Sequence, residues 1–125
     1  MSQERILVVD DTDAVRAVLD ALLERAGYLV TLADCGTEAL TRLMEGPAFD
    51  LILCDVMMPG LDGLSLLRQI GIDYPDTPVV MITAVQDIQV VMNAFREGAI
   101  DYLLKPFARA QLEGVVSRES PNFTC

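Results

Sequence analysis

The chain has 125 residues, of which 52% are hydrophobic; this length and composition predict one globular domain and exclude an intrinsically disordered chain. Its formal net charge of -10 argues against direct nucleic-acid binding, because phosphate backbones select basic surfaces. It contains no histidine, which excludes histidine-based acid–base catalysis, histidine metal ligands and a phosphohistidine intermediate within this chain.

Membrane, signal and cysteine features of the sequence indicate the cellular compartment. No apolar run approaches the ~20 residues needed to cross a bilayer, and the N-terminal segment MSQERILVVD lacks a basic flank followed by an apolar core. Cys35, Cys54 and Cys125 show no metal-ligand spacing and leave one cysteine unpaired in any disulfide scheme. We therefore expect a cytoplasmic domain with no membrane partner, in which Cys54 packs as a small hydrophobic residue.

Apolar runs rich in β-branched residues alternate along the chain with segments of helical periodicity. In chain order they predict a strand at 6–9, a helix at about 15–26, a strand at 29–32, a helix at about 37–45, a strand at 51–54, a helix at about 64–70, a strand at 79–82, a helix at about 88–97, a strand at 100–104 and a helix from about 108. The second run is mixed with polar residues, which predicts an edge strand.

Five strands alternating with five helices predict a doubly wound α/β fold, in which helices cover both faces of a parallel sheet. The domain is predicted to cover residues 1–117, with the polar segment 118–125 as a tail or the start of a linker. Ligands of such sheets bind beyond the carboxyl ends of the strands. The candidate site therefore consists of the residues that follow the strands, which are Asp10, Asp11, Asp55, Thr83, Ala84, Lys105 and Pro106.

Each of these residues also has an ordinary structural explanation. Asp10 and Asp11 suit a helix start, Thr83 suits a helix N-cap, and Asp55 and Lys105 suit solvated strand ends. The combination is more informative, because three acids, a hydroxyl and an amine fall at one edge. Crowded carboxylates favour a divalent cation such as Mg²⁺, and an amine and a hydroxyl suit a phosphoryl group. The pattern predicts phosphoryl transfer to a carboxylate, which gives an acyl phosphate.

Four motifs that carry these residues resemble the receiver domain of two-component response regulators. In order they are ILVVDD, LILCDVMMPGLDG, VVMITA and DYLLKPF, and the resemblance covers about residues 5–116. It implies a CheY-like, flavodoxin-like sheet of five parallel strands in the order 2-1-3-4-5 with five helices. It also implies a phosphorylation-activated switch rather than an enzyme, since the domain assists only its own phosphorylation and dephosphorylation.

The resemblance also implies the roles of the site residues. Asp55 is the phosphoacceptor, and the phosphoryl group comes from a phosphohistidine of a sensor histidine kinase or a phosphotransfer protein. Asp11 and Asp55 are direct ligands of Mg²⁺, with Mn²⁺ as the alternative ion. Asp10 acts largely through a metal-bound water, the backbone carbonyl of Met57 completes the protein ligands, and Lys105 contacts the phosphoryl group.

Thr83 and Tyr102 correspond to the switch residues of the family. Thr83 is expected to move toward the phosphoryl group, and Tyr102 to rotate inward, which alters the surface of helix four, strand five and helix five. A half-buried strand tyrosine is the less favoured alternative for Tyr102. An output domain, an effector protein or a second copy of the domain would bind that surface. The bond between Lys105 and Pro106 is expected to be cis, an isomer accessible mainly before proline.

Met57, Ala84 and Val85 are expected to flank the phosphoryl group. The apolar side chains of Met57 and Val85 predict restricted water at the acyl phosphate, and hence slow self-dephosphorylation. The double substitution Met57→Asn with Val85→Glu is expected to change the hydrolysis rate markedly.

Three other functions were weighed against this one. A haloacid-dehalogenase-type phosphatase needs a second acid two residues after the nucleophile, where this chain has Met57. A degenerate receiver that acts only as a binding module would have lost the acids or the lysine. A nucleotide-binding Rossmann protein needs a glycine-rich loop, and DDTDAVR after the first strand offers none. The cognate kinase, the output, and whether the domain stands alone or belongs to a longer regulator are left open.

Overall fold

The computed structural model describes residues 3–56, 63–84 and 88–119. In these ranges five strands and five helices alternate, in the predicted order. They are β1 (Arg5–Val9), α1 (Asp13–Arg25), β2 (Leu29–Ala33), α2 (Gly36–Glu45), β3 (Leu51–Asp55), α3 (Gly63–Asp73), β4 (Val79–Ala84), α4 (Ile88–Arg96), β5 (Asp101–Lys105) and α5 (Arg109–Glu119).

The strands form one parallel sheet in the order β2-β1-β3-β4-β5, which confirms the predicted flavodoxin-like arrangement. The weakly apolar β2 lies at an edge, as its mixed sequence indicates. The strongly apolar β3 lies in the centre, and all five of its residues are buried. Strands covered on both faces are uniformly apolar, because neither face meets water.

Alternate residues of the central strands enter two separate cores. Leu7, Ile52 and Met81 point to the face covered by α2, α3 and α4. Val8 and Leu53 point to the face covered by α1 and α5. Each fully buried aliphatic side chain contributes about 1.5–3 kcal/mol relative to an exposed one. This double core fixes the central strands, and with them the residues at their carboxyl ends.

The three strands that end in candidate site residues, β3, β4 and β5, end later than their apolar runs predict. Asp55 is the last residue of β3, Thr83 and Ala84 end β4, and Lys105 ends β5, so these residues lie within the strands and not after them. The apolar run ends where side chains become polar, but parallel pairing uses the backbone. Asp55 still pairs in register with Ile82. The correction moves the candidate residues onto the rigid sheet.

Helix α5 continues past the predicted domain boundary at residue 117. Arg118 and Glu119 are helical, and the guanidinium of Arg118 donates two hydrogen bonds to Asp101 Oδ2, at 2.9 and 2.6 Å. These two residues belong to the segment predicted as a tail or the start of a linker, and the contact of Arg118 with a residue 17 positions distant in sequence anchors this end of the helix. Within the described ranges, no helix has the length and apolar character needed to span a membrane.

Candidate functional site

Three acidic side chains meet at the carboxyl edge of the sheet. Asp10 directly follows β1 and Asp55 ends β3, and the pairing of Val9 with Cys54 brings these two strand ends side by side. Asp10, Asp11 and Asp55 each offer a carboxylate oxygen, and these oxygens lie within 4.8 Å of one another. Asp10 is fully buried and Asp55 is 4% exposed, whereas Asp11 is exposed to solvent.

Lys105 brings a positive charge to this acidic cluster. Its Nζ lies 3.0 Å from Asp10 Oδ2 and 3.1 Å from Asp55 Oδ2, and it donates a hydrogen bond to Asp55. Partial burial alone would lower the pKa of the Lys105 ammonium, but the two carboxylates outweigh it and raise that pKa. The lysine is therefore charged at neutral pH, and its ammonium contacts two of the three carboxylates.

One carboxylate oxygen of Asp10 has only an ion-pair partner among the described residues. Its Oδ1 accepts a hydrogen bond from the backbone N–H of Thr12 at 2.9 Å. Its Oδ2 is buried and, across the described ranges, has no hydrogen-bond partner, since Lys105 lies at ion-pair distance without hydrogen-bonding geometry. A buried carboxylate oxygen that accepts no hydrogen bond of good geometry can still take a further partner. A hard cation that prefers oxygen ligands, such as Mg²⁺, fits this donor set.

Cys54 does not belong to the chemistry of this site. The residue is 1% exposed, and its thiol is directed to the backbone carbonyl of Asp55 at 3.4 Å. Burial, followed by the charges of Asp55 and Asp10, strongly raises the pKa of the thiol. It therefore stays protonated and packs as a small hydrophobic residue, as predicted, since thiolate is the form that attacks or binds metal.

Thr83 lies one strand away from Asp55, on β4, and its side chain is buried. Its Oγ1 donates a hydrogen bond of 3.3 Å to the carbonyl of Ala84. This bond is intrastrand and weak, so the hydroxyl keeps the capacity to change partner. Thr83 is not the N-cap of α4, because it lies within the strand and the helix begins only at Ile88.

Tyr102 lies on the edge strand β5, where it pairs in register with Met81. The ring is 41% exposed, and it packs edge-on against Phe95 of α4 at 6.0 Å between ring centroids. Leu104, two residues further along β5, pairs with Thr83. The two predicted switch residues therefore occupy neighbouring strands, with the aromatic one in contact with α4.

The remaining predicted residues have different outcomes. The peptide bond between Lys105 and Pro106 is cis, the isomer that the resemblance implies. Ala84 ends β4 and is exposed. Met57 and Val85 lie outside the described residues, so their predicted roles beside the phosphoryl group stay predictions.

Two residues of the site were not predicted from the sequence. The guanidinium of Arg16 donates a hydrogen bond of 2.6 Å to the backbone carbonyl of Asp10. Gly63 begins α3 directly against the end of β3, and a Cβ there would clash with Val56 Cα and the carbonyl oxygen of Asp55. The only sequence signals were the i, i+3 spacing of Asp13 and Arg16 and a glycine at a helix start, and neither identifies these contacts.

Comparison with known proteins agrees with the geometry of the site. The family model of the response regulator receiver domain matches residues 6–117. The chain is 40% identical over 113 residues to the transcriptional regulatory protein ZraR of Escherichia coli, and 39% identical over 118 residues to the DNA-binding transcriptional regulator NtrC of Salmonella typhimurium. These matches cover 90% and 94% of this chain but 25% of each regulator, so the chain spans about a quarter of their length.

Solved structures of related proteins also resemble this chain in fold. The receiver domain of NtrX from Brucella abortus superimposes with a TM-score of 0.89 at 34% identity, over 94% of this chain and 98% of that one. The chemotaxis protein CheY4 of Vibrio cholerae also gives a TM-score of 0.89, at 30% identity, over 94% of this chain and 99% of that one. The strand order, the acidic cluster with its lysine and the family match agree, and the chain belongs to the receiver domain family of two-component response regulators.

Proposed function

We propose that this receiver domain accepts a phosphoryl group on Asp55, in the presence of Mg²⁺, from a phosphohistidine of a sensor histidine kinase or a phosphotransfer protein. The observation that carries this proposal is the buried Asp55 carboxylate, held 3.1 Å from the Lys105 ammonium beside two further acids. A carboxylate on a rigid strand end beside a fixed cation is placed for electrostatic catalysis of phosphoryl transfer.

The bonds, electron pair and proton of the proposed phosphoryl transfer are all accounted for. An Asp55 carboxylate oxygen attacks the donor phosphorus and forms a new O–P bond. The P–N bond to the donor imidazole breaks, and the imidazole nitrogen keeps the electron pair and takes a proton from solvent. Lys105 holds its ammonium near the oxygen that accepts the group, and so offsets charge that develops there.

A divalent cation would complete the site. Asp10, Asp11 and Asp55 would hold it, together with the backbone carbonyl of Met57, which lies outside the described residues. When bound, Mg²⁺ neutralises the charge of the transferring phosphoryl group. Oδ2 of Asp10, which accepts no hydrogen bond within the described ranges, supports this assignment, because a bound cation or its water could pair with it.

The readout would pass through Thr83 and Tyr102 to the α4–β5–α5 surface, which we define as the exposed faces of these three elements. This surface carries several exposed large apolar side chains, namely Ile88, Met92, Phe95 and Tyr102. Phosphorylation can shift its arrangement only by favouring one state through new contacts. Movement of the Thr83 hydroxyl toward the phosphoryl group is such a contact, and Tyr102 would follow because its ring packs on α4.

The partner that binds this surface would be an output domain, an effector protein or a second copy of the chain after phosphorylation. The two matched regulators, ZraR and NtrC, are about four times as long as this chain, and both are transcriptional regulators. We propose that the chain serves as the receiver of such a regulator. Its net charge of -10 assigns contact with DNA to another part of the regulator and not to this domain.

The proposal is tested with a small acyl phosphate as the donor and Mg²⁺, followed by intact-protein mass spectrometry. The wild-type chain should gain the mass of one phosphoryl group, and chelation of the metal should abolish the gain. Asp55→Asn should gain nothing. Asp76→Asn, which changes an exposed acid in the turn before β4, is the matched control and should behave as wild type. Equal phosphorylation of Asp55→Asn would overturn the proposal.

A further inference from the structure

Arg16 is unusually enclosed for an arginine. It lies in α1 near its start, and its side chain is 16% exposed, whereas arginine is mostly exposed in folded proteins. One guanidinium nitrogen donates a hydrogen bond of 2.6 Å to the backbone carbonyl of Asp10, and another pairs with the carboxylate of Asp13. The side chain therefore points back along the helix, toward the loop that connects β1 to α1.

That loop supplies two of the three acids of the site. Asp10 is held at its backbone N–H, which donates to the carbonyl of Ala33 at 3.1 Å, and at its Oδ1, which accepts from Thr12. Arg16 contributes the third contact, at the Asp10 carbonyl. Asp11 follows that carbonyl directly and is exposed. Arg16 therefore holds the carbonyl oxygen of the Asp10–Asp11 peptide, and the direction of this peptide bears on where the Asp11 side chain lies.

We propose that Arg16 is a positioning residue for the cation site: it locks the β1–α1 loop so that the carboxylates of Asp10 and Asp11 face Asp55. The inference rests on the proposed Mg²⁺ site. Arg16 itself contacts a backbone carbonyl and the carboxylate of Asp13, and it acts on the cation only through the loop.

Charge and positioning make opposite predictions for this residue. A guanidinium near three carboxylates repels an incoming cation, so its removal should strengthen cation binding if only Coulomb energy matters. If Arg16 instead aligns the acids, its removal should weaken binding, because residues that orient metal ligands typically contribute 10–100-fold to affinity. The sign of the change therefore separates the two roles.

The test is Mn²⁺ binding to the unphosphorylated protein, followed by the electron paramagnetic resonance signal of free Mn²⁺. Arg16→Gln should weaken Mn²⁺ binding by about tenfold. Arg109→Gln removes the same charge from an exposed i, i+4 pair on α5 and is the matched control; it should change the affinity less than about twofold, as expected for a screened surface charge. Unchanged or tighter binding by Arg16→Gln would overturn the inference.

A second variant keeps the test decisive if Arg16→Gln folds poorly. Arg16→Lys retains the charge but lacks the planar guanidinium that donates to two partners at once. This variant should bind Mn²⁺ severalfold more weakly than wild type, and wild-type affinity would overturn the inference. Circular dichroism at the titration temperature establishes that each variant is folded. Wild-type protein that binds no Mn²⁺ would refute the proposed cation site, whereas a wild-type site that ignores both substitutions would refute the role of Arg16 alone.

Discussion

Lys105 is the only lysine in the chain, and its ammonium lies between two buried carboxylates. Partial burial lowers its pKa, but Asp10 and Asp55 together raise it above the ordinary value of 10.5. A raised pKa stabilises the folded state fully below pH 10.5, and this contribution is lost as the pH rises through the higher folded value. The same residue thus links the acidic cluster to both stability and chemistry.

This single lysine makes a direct measurement available. Protein labelled with ¹³C at lysine alone should give one εCH₂ signal, and its titration in the folded state should fall above pH 10.5. Asp55→Asn removes one of the two carboxylates and should lower the midpoint of that titration. A midpoint at or below the ordinary value in wild-type protein, or no response to Asp55→Asn, would contradict the ion-pair geometry.

The α3 helix packs unusually close to β3, and two glycines test how much this matters. A Cβ at Gly63 would clash with the backbone of Val56 and Asp55, whereas a Cβ at Gly114 in α5 would meet nothing within 4 Å. Gly63→Ala should reduce the free energy of unfolding by about 3 kcal/mol, the upper end of the usual cost of overpacking. Gly114→Ala should increase it by about 1 kcal/mol, since alanine is the better helix former.

Urea denaturation of both variants and of wild-type protein measures these changes. The pair is matched, because each substitution adds one methyl group to a helical glycine. Gly63→Ala with wild-type stability would mean that α3 can move away from β3 at little cost, contrary to the packing described here.

In the proposed switch, the coupling of β4 to β5 and α4 would depend on the Thr83 hydroxyl. In wild-type protein, phosphorylation should shift the NMR signals of the Tyr102 ring, identified by their loss in Tyr102→Phe. Thr83→Ser keeps the hydroxyl and should preserve the shift. Thr83→Ala should weaken the coupling between phosphorylation of Asp55 and the Tyr102 ring at least about fivefold. This is the low end of the range for allosteric coupling. A full response of Tyr102 in Thr83→Ala would exclude this route from Asp55 to the α4–β5–α5 surface.

At the scale of the whole molecule, apolar pattern and strand direction were sufficient to predict the fold and most of the site. The runs of β1, β3 and β4 are apolar because helices cover both faces of the sheet. The candidate acids and Lys105 could be predicted because parallel strands end at one edge. Arg16 could not, since the direction of a long flexible side chain depends on which backbone carbonyl the folded chain presents. Gly63 and the end of α5 likewise depend on contacts between elements distant in sequence.

The central claim is that Asp55, and no other acid, receives the phosphoryl group. It is tested most directly by treating wild-type protein with a small acyl phosphate and Mg²⁺, reducing the product with borohydride, and mapping the peptides by mass spectrometry. Borohydride converts an aspartyl phosphate to homoserine and leaves free carboxylates unchanged. We expect homoserine at position 55 alone; homoserine at Asp10, Asp11 or any other acid, with or without homoserine at position 55, would contradict the assignment.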